Sequence, residues 1–161
     1  MTLNEFNFAA LEAVRRILSD CCGSARWVDA MAVSKPFGSS DELYEAAEKF
    51  WWSLNAADWL EAFSKHPKIG ERKGLSSWSS DEQRGMDGVA DVVAARLAIK
   101  NIEYQEKFGW IFLVCATGKS ANEMLNELER RLLCDRDSEL RTAAVEQAKI
   151  TRLRLAKAFG L

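Results

Sequence analysis

Residues 108–116 read FGWIFLVCA, and the fold class depends on the interpretation of this apolar run. The run is too short and too apolar for an amphipathic helix, so its pattern is compatible with a buried strand or with a buried irregular segment. A lone strand would leave its backbone groups without a pairing partner elsewhere in the chain. We therefore predict a buried apolar connector near 108–116 that starts or joins a helix.

Helical patterns extend from this connector in both directions, because apolar residues recur with a period of 3.6 and the chain has only two prolines. Ser40, Ser120 and either Asp137 or Ser138 stand where N-caps are expected. The sequence thus predicts an all-α fold, a single-domain multi-helix bundle that spans residues 1–161. The predicted helices run from about residue 4 to 20, 25 to 33, 40 to 54, 56 to 64, 79 to 106, 120 to 133 and 137 to 159.

Composition and charge exclude several classes of function. The chain is 48% hydrophobic and 29% charged, its net charge is −2, and no basic block favours nucleic acid. No run approaches the roughly 20 apolar residues of a membrane span, and the N-terminus has no secretory pattern. The four cysteines form no C-x-x-C pair and there is one histidine, so no zinc site is predicted and the thiols are expected to be reduced in the cytoplasm.

His66 is the only histidine in the chain, and it lies in a predicted loop between two helical patterns, next to Pro67. Its unperturbed pKa of about 6.5 makes it the one side chain suited to acid–base chemistry at neutral pH without further tuning. Functional residues often lie on loops, which favours a catalytic role. The alternative is a loop histidine without function.

Arg154 falls inside the apolar arc of the last predicted helix, beside Gln147. A guanidinium stays charged, so an inward-facing arginine needs an anion or other acceptor. It can form a buried salt bridge with an acidic residue, or it can bind a carboxylate or carbonyl of a substrate. Gln147 can be simply a hydrogen-bond partner inside the core.

Glu82 lies four residues before Met86, on the line of the buried stripe of its predicted helix. Ser79-x-x-Glu82 forms a capping box, which by itself explains both residues as the start of a helix. The capping box does not explain Gln83, which follows at once. A carboxylate and an amide at a helix N-terminus therefore remain candidates for substrate binding.

One imidazole, one carboxylate and one guanidinium could together serve a small polar anion. The sequence contains no P-loop, dinucleotide fingerprint, G-x-S-x-G motif or metal cluster, so an enzyme built from this chain is expected to need no cofactor and no metal. The alternative from another class is a non-catalytic helical interaction domain.

Five blocks of sequence follow one another in an order and spacing that can be compared with known families. They are Trp27-Val28 with Lys35-Pro36-Phe37, His66-Pro67-Lys68-Ile69-Gly70, Ser79-Ser80-Asp81-Glu82-Gln83, Lys107-Phe108-Gly109-Trp110-Ile111-Phe112, and Glu139-Leu140 with Lys149-Ile150-Thr151-Arg152-Leu153-Arg154-Leu155. Together they resemble the 2-oxo-4-hydroxy-4-carboxy-5-ureidoimidazoline (OHCU) decarboxylases of the ureide pathway of purine breakdown. The resemblance covers nearly the whole chain.

The resemblance implies an all-α fold and the cofactor-independent decarboxylation of OHCU to (S)-allantoin. It assigns His66 the role of proton donor, with Glu82 and Arg154 as further catalytic residues, and the other cofactor-free possibility is an enzyme acting on a related ureide acid. The implied substrate-binding residues are Pro67, Ser79, Glu82, Gln83, Phe112, Leu113, Val114, Cys115, Ala116 and Arg154.

The chain departs from the family pattern at three places, none of which removes an implied site residue. Lys35 replaces the usual arginine, Arg84-Gly85 stands where the family often has an Ala-Gly pair, and Leu133-Cys134 replaces a common asparagine. The transthyretin-like domain fused to this one in some members is absent from the sequence, so functional coupling to a separate hydroxyisourate hydrolase is expected. A homodimer is compatible with the resemblance, and no pattern marks its interface.

Overall fold

The computed structural model describes residues 1–67 and 87–161, with side chains from residue 91 onward in the second range. All regular structure in these two ranges is helical, so the predicted all-α fold is confirmed. The helices are α1 (Leu3–Phe8), α2 (Leu11–Cys21), α3 (Ala25–Val33), α4 (Ser40–Ser53), α5 (Ala56–Ser64), α6 (Asp87–Phe108), α7 (Ala121–Leu132) and α8 (Arg136–Phe159). No helix in the described ranges is both long and apolar enough to cross a bilayer.

The chain divides into two compact units. The first unit comprises Met1–Lys65 and Ala144–Leu161, and the second comprises His66–Ala143. Helix α8 contributes its first residues to the second unit and the remainder to the first. The single-domain organisation stays a prediction.

Tryptophan side chains organise the core of the first unit. Trp27 is fully buried and donates its Nε1–H to Ala47 O over 2.9 Å. Trp51 is also buried and donates to Ala144 O over 2.9 Å, which ties α4 to α8. Each indole thus buries a large apolar surface while its one polar atom is satisfied.

The predicted single helix over residues 4–20 is wrong, because the chain forms α1 and α2 with a break at Ala9. A capping box between Thr2 and Glu5 starts α1, and Ala9 adopts an extended backbone with φ −67° and ψ 149°. The break places Phe6 in the core, with its ring centroid 4.8 Å from that of Phe159, while Phe8 is 85% exposed. The Lys35 ammonium binds two carbonyls at the break, since it donates to Ala9 O over 2.9 Å and to Phe6 O over 3.4 Å, and Phe6 O also accepts the Ala9 N–H.

The predicted N-caps are correct at one helix and displaced at two. Ser120 caps α7, because its Oγ accepts a hydrogen bond from the backbone N–H of Glu123 over 3.2 Å. Ser39, rather than Ser40, caps α4. At α8 the cap is Asp135 instead of Asp137 or Ser138, because Asp135 Oδ1 accepts the N–H of residue 138 over 2.9 Å. A cap must precede the first turn whose N–H groups are unpaired, and each of these helices already includes the residue that was predicted to cap it.

The predicted buried connector is confirmed in the second unit. It carries no helix or strand between α6 and α7, and Trp110, Phe112, Leu113 and Val114 are all buried. Gly109 ends α6 with φ +88°, a left-handed conformation that glycine adopts without steric cost. The apolar run therefore crosses the interior of this unit in irregular backbone.

Candidate active site

His66 follows the end of α5 at a distance of two residues. Helix α5 ends at Ser64, and the C-cap Lys65 closes it by donating its N–H to Ala62 O over 3.2 Å. His66 is partly buried and Pro67 is exposed. The imidazole is thus carried on a short segment directly attached to a well-formed helix end.

A close contact fixes the residue that precedes His66. An added Cβ at Gly23 would lie 2.4 Å from Lys65 Cγ and 2.7 Å from Lys65 Cβ. Lys65 Cβ is bonded to the backbone, so no side-chain rotation can move it away from an added methyl group. Only glycine at position 23 lets the turn after α2 approach the end of α5 so closely.

Arg154 lies on α8 in the first unit, where it is partly exposed. Its Nη1 donates to Asp20 O over 3.2 Å. This carbonyl belongs to the last turn of α2, where carbonyl groups lack helical partners and attract a cation. The group that the Arg154 side chain contacts is therefore a carbonyl at the C-terminus of α2.

Two buried thiols lie beside this arginine, and burial keeps both protonated. Burial raises the pKa of Cys22 to about 11, although a hydrogen bond from the Thr151 side chain and the Arg154 charge oppose the shift. Burial likewise raises the pKa of Cys21 to about 12. Neither thiol is activated as a nucleophile at neutral pH. Gln147 is fully buried nearby and donates to Thr151 Oγ1 over 3.0 Å, so it has the role of a core hydrogen-bond partner.

Arg131 binds the backbone of the connector from inside the second unit. It is fully buried, and its Nη1 donates to Leu113 O over 2.7 Å. Its guanidinium also lies 4.7 Å from the centroid of the Phe112 ring. Two consecutive residues of the implied substrate-binding segment are therefore held by one side chain.

Glu139 and Tyr104 complete a buried polar cluster around this arginine. Arg131 Nε lies 2.6 Å from Glu139 Oε1, and the Tyr104 hydroxyl donates to the same oxygen. Trp110 Nε1 donates to the Tyr104 hydroxyl over 3.1 Å. Burial, followed by the hydrogen bond to Glu139, raises the pKa of Tyr104 above its ordinary value of 10. The tyrosine stays neutral and links the connector to the ion pair.

The sequence does contain a signal for this cluster, although the apolar pattern alone does not predict it. Arg131 lies three residues after Leu128 and seven after Met124, both buried on α7, and Glu139 lies four residues before the buried Ala143. Like Arg154, both residues place a charge on an apolar helical face. The pattern does not predict that the two side chains meet, because they lie on different helices.

The candidate site residues are distributed over both units and beyond the described ranges. His66, Pro67 and Phe112–Ala116 belong to the second unit, and Arg154 belongs to the first. Ser79, Glu82 and Gln83 lie outside the described residues. The meeting of the imidazole, carboxylate and guanidinium in one cleft stays a prediction.

Comparison with known proteins assigns the chain to a family. The family model described as OHCU decarboxylase matches residues 7–156. A solved structure of an OHCU decarboxylase, determined in the presence of (S)-allantoin, is similar with a TM-score of 0.76 and 37% identity, and the match covers 95% of this chain and 100% of that one.

Relatives among well-described proteins carry related names. The uric acid degradation bifunctional protein TTL of Arabidopsis thaliana is 39% identical over 147 residues, which are 87% of this chain and 45% of that protein. The 2-oxo-4-hydroxy-4-carboxy-5-ureidoimidazoline decarboxylase of Haloferax volcanii is 30% identical over 137 residues, with 83% of this chain and 82% of that protein covered. The chain thus spans less than half the length of the bifunctional plant relative.

Proposed function

The chain belongs to the OHCU decarboxylase family, and we propose that it decarboxylates OHCU to (S)-allantoin during urate breakdown. The observation that carries this proposal is the similarity to a solved OHCU decarboxylase over the full length of that protein, at 37% identity. The similarity extends over the entire fold of that enzyme and is not limited to one shared motif.

The substrate carries a carboxylate and a hydroxyl on the same ring carbon, beside the carbon that bears the ureido group. When the carbon–carboxylate bond breaks, CO₂ leaves and the electron pair moves into the conjugated ring. The ureido-bearing carbon then takes a proton, and the hydroxyl becomes a carbonyl as its own proton passes to the ring nitrogen that received the electron pair. The reaction needs no external electron sink, so the protein's task is to orient the carboxylate, stabilise ring charge and direct one proton to one face.

Arg154 and the connector are assigned the electrostatic part of this task. The Arg154 guanidinium is partly exposed and can bind a substrate carboxylate or carbonyl in addition to Asp20 O. Backbone N–H groups from Phe112 to Ala116 would bind ring oxygens in the manner of an oxyanion hole. Support comes from the burial of residues 112–114, which exclude water from one side of this segment.

His66 is assigned the delivery of the proton, and its position directly after α5 supports this role because a helix end gives the loop a fixed origin. Glu82 and Gln83, at the predicted start of their helix with Ser79, would bind the ureido N–H groups or ring polar atoms. Pro67 would line the same pocket. Delivery to one face would yield a single enantiomer.

The test is to add freshly generated OHCU to the purified chain and to follow chiral allantoin by circular dichroism. We expect a signal of the (S) enantiomer that forms faster than in buffer or with heat-inactivated protein. A racemic product at the spontaneous rate would favour a non-catalytic helical domain. Turnover of a different ureide acid with no effect on OHCU would favour another cofactor-free enzyme.

Three further properties belong to this proposal. All four cysteines are free, which supports a reducing, cytoplasmic environment. The preceding hydrolysis would be supplied by a hydroxyisourate hydrolase, and the bifunctional name of the Arabidopsis relative supports such coupling. A homodimer is the proposed oligomeric state, to be measured by light scattering.

A further inference from the structure

We propose that Arg131 is a positioning residue for the decarboxylation, which holds the peptide between Leu113 and Val114 so that the Val114 N–H is directed at the substrate. The inference rests on the proposed function, in which N–H groups of the connector stabilise charge on the ring. It extends that function to a buried residue that contacts no substrate itself.

The first support is the contact between Arg131 and the connector. A charge-assisted hydrogen bond of 2.7 Å joins Arg131 Nη1 to Leu113 O, and the guanidinium lies 4.7 Å from the Phe112 ring centroid. The arginine, the phenylalanine ring and the leucine side chain are all buried. The backbone at residues 112 and 113 is thereby fixed both through a ring and through a carbonyl.

The second support is the geometry of the peptide group. A trans peptide is planar, and its C=O and N–H point in opposite directions. Because Leu113 O is directed at the buried guanidinium, the N–H of Val114 is directed away from it. Rotation of this peptide would move both groups together, so the Leu113 contact fixes the direction of the Val114 donor.

The third support is the unequal use of the Glu139 carboxylate. Arg131 Nε and Nη2 both approach Oε1, at 2.6 Å and 2.5 Å, while the buried Oε2 has no hydrogen-bond partner within the described ranges. A guanidinium oriented by Glu139 alone would form two parallel bonds and satisfy both oxygens. The observed orientation keeps Nη1 on Leu113 O while Nε and Nη2 share one oxygen of Glu139. The connector carbonyl therefore helps to orient the guanidinium alongside the ion pair.

The test compares Arg131→Lys with Leu128→Ala. Lysine keeps the charge beside Glu139 but lacks the fork that reaches Glu139 and Leu113 O together. Leu128 is fully buried one turn earlier on α7, so its truncation destabilises the same helix without touching this contact. Both variants are assayed with OHCU at a temperature where each is fully folded by far-UV circular dichroism.

A displaced donor acts on charge that develops in the transition state, so kcat should fall more than KM rises. We expect Arg131→Lys to lose at least about tenfold in kcat, since misplacement by about 1 Å can cost a factor of about 100. Leu128→Ala should stay within about threefold of wild type. Equal kcat losses in the two variants would overturn the positioning role while leaving the proposed function intact. No turnover by the wild type would instead remove the proposed function and this inference with it.

A second variant covers the case in which Arg131→Lys does not fold. The pair Arg131→Met with Glu139→Gln removes both charges, so no unpaired ion remains in the interior. It also lacks the bond to Leu113 O and should show the same fall in kcat. Retention of wild-type kcat in this folded double variant would overturn the role of Arg131.

Discussion

At the scale of single residues, the sharpest prediction concerns His66. Replacing it with asparagine keeps a polar side chain of similar size but removes a group that exchanges protons near neutral pH. We expect His66→Asn to lower kcat by about 10²–10⁴-fold, the usual contribution of a positioned acid or base. The matched control is Ser64→Ala, which alters an exposed side chain two residues earlier. Near-wild-type turnover in a folded His66→Asn protein would exclude the proton-transfer role.

The glycine that contacts the residue before His66 gives a second prediction at this scale. Gly23→Ala would place a methyl group 2.4 Å from Lys65 Cγ. We expect a loss of about 1–3 kcal/mol in the free energy of unfolding, the usual cost of overpacking, together with a fall in kcat/KM because the segment that carries His66 must shift. Urea unfolding and steady-state assays measure the two effects.

Gly38→Ala is the control for this substitution. Its added Cβ would meet only the flexible end of the Glu42 side chain, at 3.1 Å. That contact can be relieved by a small rotation, so stability and turnover should stay near wild type. Equal stability and equal kcat/KM in Gly23→Ala and Gly38→Ala would show that the close approach of Gly23 to Lys65 does not constrain the segment that carries His66.

At the scale of helices, Lys35 is expected to hold α1 in place. A helix of six residues is too short to be stable alone, and the Lys35 ammonium binds the carbonyl of Phe6 in its last turn and that of its C-cap, Ala9. Lys35→Met keeps the apolar stem but removes the charge-assisted bonds, so we expect a loss of about 1.5–3 kcal/mol and faster hydrogen exchange at α1 amides. Lys35→Arg should retain both bonds. The exposed Lys49→Met is the control, and unchanged exchange in Lys35→Met would show that α1 is held by its apolar contacts alone.

The same helices show what the sequence could and could not predict. Periodicity located α3, α5 and α7 within about a residue, because caps such as Ser120 and the apolar stripes agree there. It joined α1 to α2 because the apolar pattern continues across Ala9, whereas the carbonyl at the break is bound by Lys35, 26 residues away. It also missed the Arg131–Glu139 pair. A salt bridge between two helices does not change the apolar periodicity of either helix, so periodicity cannot predict it.

At the scale of the whole molecule, the family assignment and the helical class could be predicted, but the assembled site could not. The motif residues His66 and Arg154 were recognisable because a lone histidine and an inward arginine stand out in one dimension. A meeting of these two side chains stays a prediction, because they lie in different units and periodicity does not encode how the units are arranged. A test of that organisation needs a group in each unit whose protonation is tied to folding.

A buried thiol and a buried phenol supply such groups. Burial raises the pKa of Cys22, in the first unit, to about 11 from an ordinary value of 9, and it raises the pKa of Tyr104, in the second unit, above 10. A group with a raised folded pKa keeps its proton in the native state while the unfolded chain loses it. The free energy of unfolding is therefore undiminished below about pH 9. It then falls with increasing pH by about 1.4 kcal/mol per unit for each group that only the native state holds protonated.

If the two units form one cooperative domain, both groups act on a single transition. Tyr104→Phe should then lower the free energy of unfolding by the same amount at every pH, because the hydroxyl and its hydrogen bonds are missing. Above about pH 10, the free energy of unfolding of the variant should also fall less steeply with pH, by up to about 1.4 kcal/mol per pH unit. The slope should change equally when unfolding is followed by Cys21 and Cys22 accessibility, although those thiols lie in the other unit. Tyr44→Phe, which removes the hydroxyl of the chain's other tyrosine, is the control. A slope that changes for a probe of the second unit but not for the thiols would mean that the units unfold independently, and the single-domain prediction would be wrong.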